Sequence, residues 1–413
     1  TAKMGNMMDV MDVLDEGILV RGRGVRRVPS MSERSLQEKL EQADRGSDYR
    51  LIITLGSELG KRRILALELD PPALRDARLA MLVAKAHSAL YYDRAALVLL
   101  QVARETLFSE SIGGVSTYER WLCVNAVGVA KMYLGDYEGA AVEFEEGERM
   151  STSEGFIGWE EMITAVANHA QAHFRLGNEL QVWLQMPALT KTLHKVDAFA
   201  TVAARAHSEL ALYHEMKDPG VDAGRCHYEC VSPFHPDGHG PLPDNTKHGI
   251  CGAEIVRAYY LAQIGDSEHA RKCLDRAYEL CNHDRYGRRE LAAVLRAQAG
   301  LHRSAKEYRE AQNLYRGCQA IYESIYDENH PEHIAVTVLL ARVLCHWGEI
   351  EEGIGQFESA LRRHTQPKEK IVILLRMATF YEKAGQHENA SATRERAKDT
   401  AEGASLRLPA RWA

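Results

Sequence analysis

Between Lys306 and Leu361 the chain reads KEYREAQNLYRGCQAIYESIYDENHPEHIAVTVLLARVLCHWGEIEEGIGQFESAL, two copies of one pattern set back to back. Each copy opens a helix on a small residue, places an aromatic four positions later and a second small residue three beyond that. These are Ala311, Tyr315 and Cys318 in the first copy, and Gly353, Phe357 and Ala360 in the second. Spacings of four and three keep side chains on one helical face. The small residues let a neighbouring helix approach, and the aromatic plugs the space between them. One hairpin cannot bury such a face alone, so a chain that repeats it must stack its hairpins.

Outward from this stretch, turn positions recur at Leu90, Gly135, Gly177, Asp218, Gly265, Lys306, Gly348 and Gly385, with a period of about 42 residues. The commonest helical-hairpin repeat has a period of about 34. Leu90 and Lys306 stand where glycine is expected, and Asp218 begins an irregular connection.

The turn Gly-Asp-Tyr-Glu-Gly-Ala at 135–140, with Gly265 and Ala270, Gly348 and Gly353, and Gly385 and Ala390, resembles that of the tetratricopeptide repeat. The segment from Ala320 to Ala335, which includes His330-Pro331, is similar to the longer-period repeats of kinesin light chains. The resemblance implies an all-α fold, a right-handed α-solenoid of antiparallel helical hairpins, in which the first helix of each pair lines a concave groove. The family's inward positions carry over to Asn125, Gln171, Arg205, Ser208, Tyr259, Arg296, Arg342 and Glu382. Several are basic, which suits an extended acidic peptide or helix. The carboxylate clamp of chaperone adaptors needs matching Lys and Asn in adjacent repeats, and only Asn125 fits.

Composition agrees with a soluble helical chain. Hydrophobic residues make up 45%, charged residues 26%, and 12 prolines interrupt 413 positions, so a large core is available. The net charge of -7 argues against general nucleic-acid binding. No apolar run approaches the roughly 20 residues of a membrane span. Eight cysteines are scattered, with Cys318 and Cys345 at core or groove positions. That favours a reducing intracellular compartment, cytoplasmic (including cytoskeleton-associated) or organellar matrix, over a disulfide framework.

In order, residues 1–31 read as an N-terminal extension, 32–225 as helical repeats, 226–252 as a Cys/His/Pro-rich insert, 253–403 as further repeats and 404–413 as a tail. Thr1 in place of an initiator Met leaves a removed presequence or a partial start open. The extension has an acidic, Met-rich start and a Gly-Arg arm carrying Arg21, Arg23, Arg26 and Arg27, which reads as an extended arm or a contact for RNA or an acidic partner. Ser32 is a candidate helix cap. Pro71-Pro72 ends one helix and starts the next, and Pro187 predicts a kink or early stop. The acidic row Glu143, Glu145, Glu146 and Glu148 reads as a solvated helix face. Trp412 ends the tail, where it is expected to fold back or enter a partner.

The insert packs Cys226, His227, Cys230, His235, His239, His248 and Cys251 into 26 positions, and Cys226, Cys230, His239 and Cys251 could supply four zinc ligands. The close Cys-x-x-Cys knuckle is missing, and repeat phase gives Cys230 a core position without metal. No cofactor and no stoichiometric metal are expected.

Catalytic motifs fail in turn. Gly56-Ser-Glu-Leu-Gly60-Lys61-Arg62 is one residue short of a phosphate loop and lacks the hydroxyl after the lysine, so it reads as amphipathic helix. His214-Glu215 lacks a second His, no Gly-x-Ser-x-Gly elbow occurs, and His330 and His333 read as junction geometry. The reading is therefore a non-catalytic protein-interaction scaffold, a stable structural subunit of a larger assembly, binding partners through Asn125, Gln171, Arg205, Tyr259, Arg296, Arg342 and Trp412. A free cargo or peptide adaptor is the first alternative. A metal-dependent regulator or enzyme using the Cys226–Cys251 insert is the second.

Overall fold

The computed structural model describes residues 32–45, 48–66, 74–109, 114–152, 158–176, 265–282, 287–363 and 367–404, with single positions between 178 and 185 and between 251 and 262. Pro71-Pro72, Pro187, the turns at Gly177 and Asp218, Arg205, Ser208, Trp412 and the residues before Ser32 lie outside the described residues, as does the insert up to residue 250. The described residues are helical, with no strand among them. The chain divides into two compact units, Thr1–Tyr213 and His214–Ala413.

The first unit contains α1 (Glu33–Arg45), α2 (Tyr49–Ala66), α3 (Leu74–Ala89), α4 (Asp93–Leu107), α5 (Thr117–Tyr133), α6 (Tyr137–Thr152) and α7 (Trp159–Arg175). The second contains α8 (Ser267–Asn282), α9 (Arg288–Ser304), α10 (Tyr308–Ile325), α11 (Pro331–Trp347), α12 (Ile350–Arg363), α13 (Pro367–Lys383) and α14 (His387–Gly403). Within each unit every helix packs on the one before it and the one after it in sequence. This is the stacked-hairpin solenoid that the repeated apolar face requires.

The aromatic plugs set the packing. Tyr315 and Phe357 are fully buried, as are Ala311, Cys318, Gly353 and Ala360 around them. Phe144 plays the same part in the first unit. A Cβ at Gly128 would sit 2.5 Å from the Phe144 ring, so α5 can meet α6 there only with glycine. The Gly56-to-Arg62 stretch lies within α2, with Ser57 buried, as the amphipathic-helix reading requires.

Local chemistry starts the helices. Ser32 Oγ accepts from the Ser35 amide at 3.3 Å. Ser116 and Glu119 form a reciprocal capping box on α5. His330 caps α11, its Nδ1 accepting from the Glu332 amide at 3.2 Å, with Pro331 in the first turn and the Tyr326 ring stacked 3.7 Å away. Burial, foremost, and the nearby Arg363 charge push His333 below the usual imidazole range. The His-Pro element is thus a cap and a junction.

Gly135, Gly265, Gly348 and Gly385 all have positive φ, the left-handed conformation that closes these hairpins. Lys306 takes the same conformation at φ 63° without being glycine. In the oldest of these turns in chain order the residue that does so is Tyr91, at φ 69°, not Leu90. The expected position was therefore one residue early, because Leu90 still caps α3 through bonds to Ala86 and His87 carbonyls.

Of the acidic row on α6 only Glu145 is exposed; Glu143, Glu146 and Glu148 are tied to other helices instead of forming a solvated face. Glu143 is buried and receives Arg104 at 2.5 Å and Lys131 at 2.8 Å. Glu146 receives Arg104 at 2.6 Å, and Glu148 meets His169 at 2.9 Å. The row binds α6 to α4, α5 and α7.

Candidate functional groove

In the second unit α9, α11 and α13 are the first helices of successive pairs, and their side chains build the candidate surface. Arg296 on α9 points to Glu332 on α11, Nη1 to Oε2 at 2.5 Å, with both side chains mostly covered. The Glu332 charge holds this guanidinium well above its ordinary range despite burial. Arg296 is thus a tie between neighbouring helices. Glu382 is likewise occupied, by Arg394 on α14.

Arg342 on α11 has different neighbours. It is half-buried, and burial first, then the charges of Arg303 on α9 and Arg376 on α13, push it down to about 10. Arg376 is lowered by burial and by Arg303 in turn. Each of the three guanidiniums thus lies within electrostatic reach of the other two or of one of them. Among the described residues none of them has a carboxylate partner, and Arg303 Nη1 is buried without an acceptor. Elsewhere in the unit Arg271, Arg276, Arg316 and Arg396 each hold a glutamate at 2.7 to 3.0 Å.

The cluster has a definite rim. His346, one turn past Arg342, is pushed down by burial and by Lys383, Arg342 and Arg303, so it adds no charge at neutral pH. Its ring stacks over Tyr308 at 6.1 Å and meets the Phe380 edge at 5.0 Å, while Lys383 lies 5.7 Å over Phe380. Val372, one turn before Arg376, is exposed. Tyr259 is exposed too, and its hydroxyl bears electrostatically on both Arg296 and Tyr315. Arg376 is open to solvent, while Arg303 and Arg342 are partly covered.

Sequence reading found Tyr259, Arg296 and Arg342 but missed Arg303 and Arg376. A usable signal was present: the three arginines precede the left-handed residues Lys306, Gly348 and Gly385 by 3, 6 and 9 positions. Steps of three stay near one helical face, so the series is a diagonal across three adjacent helices. In the first unit Asn125 Oδ1 accepts from Asn168 Nδ2 at 2.7 Å, joining α5 to α7, and Gln171 is half-buried. Of the four zinc candidates only Cys251 is described. It is buried beside Cys281, Sγ to Sγ 2.8 Å, in a core with Ala277 and Val294. The bond to Cys281, then burial, push its thiol far up. Among the described residues no group of three or more His, Cys, Asp or Glu is placed to hold a metal, and no helix is long and apolar enough to cross a membrane.

No curated protein matches the chain in sequence. Among solved structures, the apo form of the quorum sensor NprR from B. thuringiensis is similar over 89% of this chain and 97% of its own, with 12% identity and a TM-score of 0.54. A human IFIT1 dimer with PPP-AAAA is similar over 82% of this chain and 70% of its own, at 13% identity and a TM-score of 0.46. A Pyrococcus horikoshii signal-transduction ATPase with a tetratricopeptide-repeat sensor is similar over 85% of this chain and 53% of its own, at 10% identity and a TM-score of 0.46. The tetratricopeptide-repeat family model matches residues 290–366, the stretch that holds both plugs, Arg296, Arg303 and Arg342. That match lies inside the run of stacked hairpins in the second unit, so residues 290–366 carry tetratricopeptide repeats and the described helices around them share that fold.

Proposed function

We propose that this protein is a non-catalytic interaction scaffold whose second unit holds an extended acidic segment of a partner protein across α9, α11 and α13. The observation that carries the reading is the trio Arg303, Arg342 and Arg376, none with a carboxylate partner among the described residues, in a unit where Arg271, Arg276, Arg316 and Arg396 each hold a glutamate. Like charges gathered on one face cost stability unless something of opposite sign arrives. The exposed Val372, one turn from Arg376, and the exposed Tyr259, within electrostatic reach of Arg296, offer apolar contact to the same segment, the mixture expected of a few anchors within a wider surface. The groove favours capture of a segment, by a subunit or an adaptor alike.

The test is binding of a fluorescent acidic peptide to the full chain, followed by anisotropy. Arg303→Glu combined with Arg376→Glu should weaken binding by at least about tenfold, and added salt should weaken the parent's binding as well. Neither residue has a carboxylate partner to orphan, which makes the pair a cleaner probe than Arg296→Glu, where a new acid would face Glu332. Unchanged affinity in the double variant would remove this reading.

A further inference from the structure

The geometry points to the Arg303–Arg342–Arg376 cluster as a subsite for a phosphoryl group, carried on a phosphorylated side chain of the segment held in the groove. The inference rests on the groove reading above and narrows it from acidic segments in general to phosphorylated ones. Three guanidiniums on the first helices of three successive pairs, none with a carboxylate partner among the described residues, present more positive charge than one carboxylate can neutralise. A carboxylate brings one charge and two oxygens. A phosphate monoester at neutral pH brings close to two charges and three acceptor oxygens, enough for each guanidinium to donate a charge-assisted hydrogen bond.

Two further features agree. Arg303 Nη1 is already buried and without an acceptor, which is a standing cost that an incoming oxygen would remove. Burial first, then the charges of Lys383, Arg342 and Arg303, lower His346 from its ordinary range, so it adds no charge near neutral pH while the phosphoryl group supplies the variable part. The choice of arginine matters too. A planar fork can grip phosphate oxygens in pairs, whereas lysine offers a point charge. Arg376 is exposed while Arg303 and Arg342 lie partly covered, so the group can enter from the open side and meet the covered pair behind it.

The test uses the full chain and three synthetic acidic peptides that differ at one central residue: phosphoserine, glutamate or serine. Phosphoserine should bind about tenfold or more tighter than glutamate. Arg342→Lys should erase most of that difference, because the charge remains but the paired geometry does not. If phosphoserine and glutamate peptides bind alike, the subsite is overturned while the acidic-groove reading stands. Inorganic pyrophosphate, scored by the melting temperature of the parent and of Arg342→Gln, supplies the other arm. Stabilisation of the parent alone, with no peptide bound, would keep the phosphoryl subsite, assign it to a free ligand and defeat the groove reading. No effect of pyrophosphate and no peptide binding would overturn both. Circular dichroism of each variant confirms that helix content is unchanged.

Discussion

The two units handle buried charge in opposite ways. Between α4, α5 and α6 the cations Arg104 and Lys131 converge on Glu143, and Arg104 also reaches Glu146, so every charge in that knot meets its opposite. Across α9, α11 and α13 the cations Arg303, Arg342 and Arg376 lie within electrostatic reach of one another and, among the described residues, have no carboxylate partner. The helices around both clusters pack alike, so the difference lies in the charges and not in the scaffold. A knot that closes within the chain contributes to the fold. One left open lowers stability and gains meaning when a partner completes it.

The shared scaffold gives the largest expected effect and the reference for the others. Phe144 in the first unit and Phe357 in the second are both buried aromatic plugs. Truncating either to Ala should cost roughly 3 to 5 kcal/mol by urea denaturation, through lost burial and a residual cavity. Comparable losses would show that the units differ in charge alone. A loss below about 1 kcal/mol at either position would mean that its helix phase is not what holds that unit together.

The charge comparison itself is broken or kept by two neutralising substitutions that should act with opposite signs. Glu143→Gln leaves Arg104 and Lys131 facing a group that cannot balance them, and should cost about 3 kcal/mol, the usual penalty for removing one partner of a buried pair. Arg342→Gln removes a covered cation pressed by two others. It should raise stability by about 1 kcal/mol once solvent screening of this partly open site is allowed for, read as a higher melting temperature. A drop in both variants would show that the open cluster is structural after all. The stabilising direction at Arg342 is the expected mark of a site kept for binding at the expense of the fold.

How much of this was legible in the sequence follows from the range of each interaction. The plugs at Tyr315 and Phe357 were readable because a helix writes its buried face within one or two turns. The junction at His330-Pro331 was readable for the same reason, whereas the bond by which His330 caps α11 emerged only from the folded chain. The acidic row on α6 was misread, since nothing within α6 says that Arg104 and Lys131 will reach it from other helices. The same blindness affected the groove. Arg296 and Arg342 look equivalent along the chain, yet Glu332, 36 residues on, neutralises one and not the other. Arg303 and Arg376 could have been found only by counting back from the turns, and their lack of counter-ions only from the assembled hairpins.

The smallest expected effect concerns the hairpin turns, where the units are again alike and the sequence is again uneven. Gly135, Gly348 and Gly385 hold left-handed backbone at φ 78°, 104° and 74°, a region glycine enters without steric cost. Tyr91 in the first unit and Lys306 in the second do the same work at φ 69° and 63° with a side chain attached. For such residues the Cβ crowds the following carbonyl, at roughly 1 to 2 kcal/mol. Glycine removes that strain but adds freedom to the unfolded chain, which takes back part of the gain. Lys306→Gly should therefore stabilise by about 0.5 to 1 kcal/mol, seen as a small rise in the urea midpoint with an unchanged slope. Lys306 is exposed, so little packing is lost with its side chain. Tyr91 is half-buried, and Tyr91→Gly gives up that contact, so its net change should lie nearer zero. Gly348→Ala is the reverse experiment. No atom lies within 4 Å of a Cβ added there, so any loss of stability in that variant reports backbone strain alone. If Lys306→Gly is neutral while Gly348→Ala is destabilising, the strain at Lys306 is relieved by its surroundings. If both are neutral, left-handed backbone does not limit the stability of these turns.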